Sequence, residues 1–107
     1  MKRTLLPLLA LLALPVAAQE PPKRSALWEA TCSVCHGSDG HSRTEEGLKK
    51  RARDLADPRW QATVSDGRLV SSIQRGRDKM PAFGRKLTGE QIQALVAEVR
   101  SLAKKAP

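Results

Sequence analysis

Three residues in one short segment have the types and the spacing to do redox or metal chemistry. The segment CSVCH contains the only two cysteines of the chain, Cys32 and Cys35, followed directly by His36. Cysteines three positions apart lie on one face of a helix, about one turn from each other. Two thiols placed in this way can reach the two vinyl groups on one edge of a haem, and the histidine can reach the iron. This spacing is the attachment signal of c-type haem.

Three other interpretations of the cysteine pair compete with haem attachment. A thioredoxin-like dithiol has the same spacing, but within alternating strands and helices that this sequence does not show. A zinc site needs four ligands, usually in two separated pairs. Here the candidates lie close together in one segment: Cys32, Cys35, His36 and His41. A disulfide is common in exported proteins, yet between these two cysteines it would close a very small loop and stabilise little. Haem attachment is the leading interpretation, and the other three stay open.

A second candidate iron ligand lies in the segment KMPAFG. Met80 is the only methionine besides Met1, and it lies in a turn-rich loop beside Pro81, which is a poor position for a residue that merely fills the core. His41 is the alternative, but it follows His36 too closely for the chain to pass round a haem to the opposite face. A thioether opposite an imidazole raises the reduction potential of the iron. With both axial positions filled, we expect electron transfer rather than oxygen chemistry.

The first 18 residues have the pattern of a secretory signal peptide. An apolar run follows Lys2 and Arg3, and small residues precede the expected cleavage site after Ala18. The run is shorter than the roughly 20 residues that span a bilayer, so a retained anchor is the less favoured alternative. We expect residues 1–18 to be removed, residues 19–107 to form one domain, and the mature protein to be periplasmic.

Size and charge limit the classes of protein to consider. A domain of 89 residues usually needs a disulfide, a metal or a cofactor for stability, and this one has few aromatic residues for a core. The chain has 19 Lys and Arg against 11 Asp and Glu, of which the signal peptide holds two basic residues, so the mature charge is +6. We expect a monomer whose redox partner proteins have acidic docking surfaces. Transient association with an anionic membrane surface is compatible with this charge, whereas export argues against nucleic acid.

The elements that must position these residues are all predicted to be helices. No segment shows the alternation of a strand, so the sequence predicts an all-α domain with long loops. Capping residues indicate where the helices begin: Ser25, Ser42 with Glu45, Asp57-Pro58, Ser65 or Asp66, and Thr88 with Gln91. The first helix is predicted to carry both cysteines, and the loop with Met80 separates the last two helices.

The combined pattern resembles the class I monohaem cytochromes c of bacteria. The matching segments are CSVCHG, DLADPRWQ, GRDKMPAFGRKLT and IQALVAEVRSL, in the order and approximate spacing of that family. The resemblance extends from about Ala26 to Leu102. It implies a small cytochrome c fold, in which helices and long loops surround one covalently bound haem c. It also implies that the first and last helices cross near the haem.

The resemblance assigns a role to each candidate residue. Cys32 and Cys35 correspond to the thioether attachment points, His36 to the proximal iron ligand and Met80 to the distal ligand. Two features depart from the family. Glu98 replaces an aromatic residue of the last helix, and the Gly-Pro pair whose carbonyl accepts the ring N–H of the proximal histidine is missing. The acceptor for the His36 ring is therefore not predicted.

Four further features concern the surroundings of the haem. The methionine-loop cluster, a group of basic residues around Met80, is interpreted as a docking surface or as a solvated loop: Arg75, Arg77, Lys79, Arg85 and Lys86. A second basic run is interpreted as an ordinary helical surface: Lys49, Lys50, Arg51 and Arg53. Trp60 is expected to donate to a haem propionate or to pack against the haem. Phe83 is expected to cover the methionine side.

The leading functional prediction is a one-electron carrier that is not an enzyme, because no paired carboxylates, activated nucleophile or open metal position is evident. One alternative is a haem-bearing subunit of a multi-subunit oxidoreductase, such as a dehydrogenase or a sulfur-oxidising complex. A further alternative is a thiol-disulfide oxidoreductase that uses Cys32 and Cys35.

Overall fold

A computed structural model describes residues 2–5, 7, 10 and 24–103. The predicted signal peptide and its cleavage site lie largely outside the described residues, so both stay predictions. Residues 24–103 contain six helices and no strand: α1 (Ala26–Thr31), α2 (Ser33–His36), α3 (Glu45–Lys50), α4 (Pro58–Thr63), α5 (Asp66–Arg75) and α6 (Gly89–Ala103). The all-α prediction is confirmed. Across the described ranges, no helix has the length and apolar character needed to cross a membrane.

The predicted first helix is divided into α1 and α2 at Cys32. Ser25 caps α1 as predicted, because its side chain accepts a hydrogen bond from the backbone N–H of Trp28. Cys32 N donates to Trp28 O at 2.8 Å, and His36 N donates to Cys32 O at 2.9 Å. Helical hydrogen bonds therefore continue through the junction, and the two cysteines remain about one turn apart. Gly37, with φ of 73°, ends α2.

The start of α3 differs from the prediction. Thr44, not Ser42, is the N-cap, and its hydroxyl accepts a hydrogen bond from Gly47 N at 2.9 Å. The spacing of Ser42 and Glu45 does fit a capping box. However, the Ser42 side chain is buried and hydrogen-bonded elsewhere, so Thr44 takes the capping role.

The starts of the remaining helices agree with the sequence. Asp57 caps α4, with Pro58 in its first turn, and Ser65 caps α5. At α6, Thr88 N donates to Gln91 Oε1 at 2.9 Å and Gln91 N donates to Thr88 Oγ1 at 3.1 Å, which is the predicted reciprocal capping box.

The core forms along one face of α6. Residues at helical spacing on this face are buried: Ile92, Leu95, Val96, Val99 and Leu102. Helices α1, α4 and α5 all contact α6. Trp28 of α1 belongs to the same cluster and is 0% exposed, and its indole nitrogen donates to Gly37 O at 3.0 Å. The first and last helices are therefore in contact, as the resemblance implied.

Glu98 takes part in this helix contact through hydrogen bonds rather than aromatic packing. Its carboxylate accepts a hydrogen bond from Ser25 N at 3.2 Å and another from the Ser25 hydroxyl. The polar side chain therefore connects the N-terminal end of α1 to α6, where an aromatic residue was expected from the family pattern.

Candidate haem site

A cavity of about 870 Å³ lies beside the core, within the range of roughly 300–1,000 Å³ that is usual for cofactor sites. Cys32, Cys35, His36 and Met80 all line it, although Met80 is far from the others in sequence. The walls also contain large apolar side chains: Trp28, Leu55, Trp60, Val64, Leu69, Ile73, Phe83, Leu95 and Val99. Two thiols, an imidazole and a thioether on an apolar cavity fit a covalently attached haem.

His36 is buried, with 9% of its surface exposed, and its ring orientation is set by two oxygen atoms. Nδ1 lies 2.9 Å from Ser42 Oγ and 3.2 Å from Arg53 O. A carbonyl oxygen can only accept, so the proton is on Nδ1 and the lone pair is on Nε2. Burial lowers the pKa of His36, and the hydrogen bond to the Arg53 carbonyl acts in the opposite direction. The neutral imidazole is the form that binds a metal.

The structure thus identifies the ring acceptors that the sequence did not predict. One is the backbone carbonyl of Arg53 and the other is the side chain of Ser42. Every residue has the same backbone carbonyl whatever its side chain. No sequence signal could therefore have selected Arg53. Ser42 was visible in the sequence but was interpreted as a helix cap.

The two cysteines are partly buried free thiols in this structure. Burial raises the pKa of the Cys32 thiol to about 12, and the Glu98 carboxylate acts in the same direction. Because the thiolate is the nucleophile in disulfide exchange, this environment disfavours a thiol-disulfide enzyme. In the part of the chain that is described, no group of three or more His, Cys, Asp or Glu is arranged to hold a metal ion.

Close packing of α3 fixes the position of the CSVCH segment. A Cβ atom on Gly47 would lie 2.1 Å from Cys35 O and 2.7 Å from Ser42 O, so only glycine permits this approach. Thr44 Oγ1 also donates to Val34 O at 2.7 Å. The attachment segment is therefore held by backbone contacts as well as by its own helix.

Met80 is positioned by a tight turn after α5. Arg77 N donates to Met80 O at 3.1 Å, and Met80 N donates to Arg77 O at 2.8 Å. Gly76 has φ of 73°, and a Cβ atom there would lie 2.5 Å from Met80 O. Beyond the turn, Phe83 N donates to Ile73 O at 2.8 Å, which returns the loop to α5. Phe83 lines the cavity together with Met80, as expected for a cover on this side.

The rival ligand His41 does not line the cavity. It is exposed, and its Nδ1 lies 3.2 Å from Asp54 Oδ1. Trp60 does line the cavity, with the Arg53 guanidinium 5.4 Å from the centre of its ring. Donation by Trp60 to a haem propionate stays a prediction.

The helical fold and this site define a c-type cytochrome. Residues 19–97 match the family described as "Cytochrome C oxidase, cbb3-type, subunit III", and the chain belongs to that family. A covalently bound haem c and a role in electron transfer follow from this membership and from the relatives below.

Curated relatives include both a large subunit and small proteins. The chain is 33% identical over 81 residues to the "Cbb3-type cytochrome c oxidase subunit FixP" of Azorhizobium caulinodans, covering 75% of this chain but only 26% of that protein. It is 31% identical over 80 residues to "Cytochrome c6" of Synechococcus elongatus, covering 74% and 86% of the two chains. Among solved structures, the "KustC0563 c-type cytochrome" is 42% identical with a TM-score of 0.67, covering 71% of this chain and 92% of that one.

Proposed function

We propose that this protein is a periplasmic one-electron carrier in which Cys32 and Cys35 bind the haem through thioethers and His36 and Met80 bind its iron. The observation that carries this proposal is the convergence of all four side chains on one largely apolar cavity. The secretory signal pattern of residues 1–18 supports the periplasmic location.

The residues of the chain perform three tasks in this proposal. Burial lowers the pKa of His36 and so keeps the imidazole neutral, and the hydrogen bonds at Nδ1 orient the ring with Nε2 available to the iron. The Met80 thioether favours the reduced state, since a soft sulfur donates weakly to the harder ferric ion. The apolar side chains that line the cavity provide a surface for the flat apolar face of the haem. When bound, the haem supplies a centre that accepts and releases one electron. With His36 and Met80 both holding the iron, no position would be left open for a substrate, and the protein would act as a carrier and not as an enzyme.

Visible spectroscopy of protein expressed with export tests the proposed ligands. We expect the ferric protein to show sulfur-to-iron absorption that disappears in Met80→Ala, with a fall in reduction potential. His41→Ala is the control and should leave both unchanged. Retention of the absorption in Met80→Ala, or its loss in His41→Ala, would contradict the ligand assignment.

The methionine-loop cluster is the proposed docking surface for an acidic redox partner. Within residues 24–103 only one of its cations forms an ion pair, Arg77 with Asp78 at 3.8 Å. In the second basic run, two of the four cations form ion pairs, since Lys49 lies 3.4 Å from Glu45 and Lys50 lies 3.8 Å from Glu46. Unpaired charge produces the stronger field, so the cluster beside Met80 should attract anions more than the second run does.

A matched pair of charge reversals tests this difference. Arg85→Glu/Lys86→Glu and Lys49→Glu/Lys50→Glu change the net charge equally. We expect oxidation of the reduced protein by hexacyanoferrate(III), an anion, to slow by roughly tenfold at low salt in the first variant and much less in the second. The difference should shrink as salt screens the charges. Equal rates in the two variants would contradict the assignment of the methionine-loop cluster as the docking surface.

A second candidate function is favoured by one relative. FixP is named as an oxidase subunit, and this chain matches about a quarter of its length. The protein could then serve as the haem-bearing subunit of a larger oxidoreductase with the same four residues at its site. Size-exclusion chromatography of the native extract distinguishes the two, because a carrier elutes as a small monomer and a subunit elutes with its complex.

A further inference from the structure

Ser42 is a buried polar residue whose hydroxyl lies against the His36 ring. It is 4% exposed, and its backbone φ of 59° lies in the left-handed region that residues other than glycine seldom adopt. It does not cap α3, which is the role that its sequence position suggested. The position and the backbone conformation of Ser42 are therefore not explained by helix capping.

The order of the hydrogen bonds around Ser42 follows from the atoms present. Arg53 O can only accept, and His36 Nδ1 carries the ring proton. The Ser42 hydroxyl donates to Arg53 O, and its oxygen lies 2.9 Å from His36 Nδ1. The ring N–H therefore donates to Ser42 Oγ, and Ser42 donates onward to the Arg53 carbonyl. The direct path from Nδ1 to Arg53 O is longer, at 3.2 Å.

This arrangement makes Ser42 a better acceptor than an isolated hydroxyl. A hydroxyl that donates to a carbonyl is polarised, and hydrogen bonds in such a chain strengthen one another in a buried environment. A stronger acceptor draws the Nδ1 proton away from the ring and increases the electron density at Nε2. Groups that hydrogen-bond to a metal-binding histidine fix its orientation and raise its basicity in this way.

We propose that Ser42 is a positioning residue for His36, whose hydroxyl links the ring N–H to the Arg53 carbonyl and lowers the reduction potential of the protein. A more basic imidazole stabilises the oxidised iron more than the reduced iron, which sets the direction of the effect. The inference rests on the proposed ligation by His36. It concerns the side chain alone, because the Ser42 backbone is held separately by a hydrogen bond from Ser42 N to His36 O at 2.9 Å.

Two variants separate the hydroxyl from the backbone. Ser42→Ala removes the hydroxyl and keeps the Cβ atom. Ser42→Gly also removes the hydroxyl but suits the positive φ, so it is the variant to use if Ser42→Ala does not accumulate. Ser38→Ala, an exposed serine of the same loop, is the control.

The first measurement is the reduction potential of the haem-loaded proteins by spectroelectrochemistry. We expect the potential to rise in both Ser42 variants and to stay unchanged in Ser38→Ala. A tenfold shift of the one-electron equilibrium, the size expected for loss of the nearer acceptor, corresponds to about 59 mV. A potential that is unchanged or lower in both Ser42 variants would overturn the proposal, as would a rise in Ser42→Ala that Ser42→Gly does not share.

The second measurement is hydrogen exchange of the His36 Nδ1 proton by NMR in the reduced protein. Exchange should be faster in both Ser42 variants than in Ser38→Ala, and equal rates would contradict the hydrogen bond to Ser42. A wrong proposed function would give a different result, because the unsubstituted protein itself would then lack the haem or the bond from His36 to the iron. An unsubstituted protein with both, together with unchanged Ser42 variants, would refute the role of Ser42 alone.

Discussion

The histidine side and the methionine side of the cavity are built in different ways. On the first, tertiary hydrogen bonds and close packing fix the candidate ligand, since Ser42 and the Arg53 carbonyl bond to the buried His36 ring and α3 packs closely on the segment through Gly47. On the second, backbone hydrogen bonds fix a turn at Arg77 and Met80, and the half-buried Met80 side chain projects from it. The position of the histidine therefore depends on packing, whereas the position of the methionine depends on the conformation of one turn.

The largest effect is expected on the histidine side, from Gly47→Ala. The added Cβ atom would lie 2.1 Å from Cys35 O, a backbone atom that cannot move without displacing the attachment segment. Overpacking of this kind costs about 1–3 kcal/mol or more, a large part of the roughly 5–15 kcal/mol by which a domain is stable. We expect a clear fall in the thermal midpoint and a lower yield of haem-loaded protein, as measured by thermal unfolding and haem absorbance.

Gly89→Ala is the matched control for this prediction. Gly89 begins α6, and a Cβ atom there would have no neighbour within 4 Å. Alanine in a helix should leave the stability unchanged or raise it by about 0.5–1 kcal/mol. If Gly47→Ala behaved like Gly89→Ala, the close packing of the histidine side would be wrong.

A smaller effect is expected on the methionine side, from Gly76→Ala. A residue with a Cβ atom in the left-handed region costs about 1–2 kcal/mol. Its Cβ atom would also lie 2.5 Å from Met80 O and displace the turn. We expect a modest loss of thermal stability together with a clear loss of the sulfur-to-iron absorption of the ferric protein. Gly67→Ala, where the nearest atom is Ser65 Oγ at 3.9 Å, should lower neither the stability nor the absorption. An intact absorption in Gly76→Ala would argue against control by the turn.

The smallest effects are expected from the loss of two helix-capping hydroxyls. Thr44→Ala removes the one beside the histidine, and Ser65→Ala removes the one at α5. Loss of a capping hydroxyl costs about 1 kcal/mol. Thr44 also donates to Val34 O, which Ser65 does not match, so Thr44→Ala should lower the midpoint of chemical unfolding more. Equal midpoints would show that the bond to the attachment segment adds no stability.

The sequence predicted the residues whose chemistry depends on type and spacing. Cys32, Cys35 and His36 lie within one short segment, and Met80 is distinctive because Met1 is the only other methionine. Their convergence on one cavity agrees with that prediction, while their bonds to the haem stay a proposal. The starts of α1, α4, α5 and α6 were also predictable, because capping chemistry is local.

What the sequence could not show depends on contacts between distant segments. The Arg53 carbonyl is a backbone group, so its bond to the His36 ring has no residue signature. The close approach at Gly47 depends on the packing of α3 and not on its own sequence. Ser42 was assigned to the helix start because its spacing to Glu45 fits a cap, whereas its tertiary partners determine its actual position.

Intact mass spectrometry of the protein matured outside the cytoplasm tests the central claim most directly. The account predicts a single species whose mass equals that of residues 19–107 plus one covalently attached haem, and which loses that addition when Cys32 and Cys35 are both replaced by alanine. Recovery of the bare polypeptide from the exported material would contradict it.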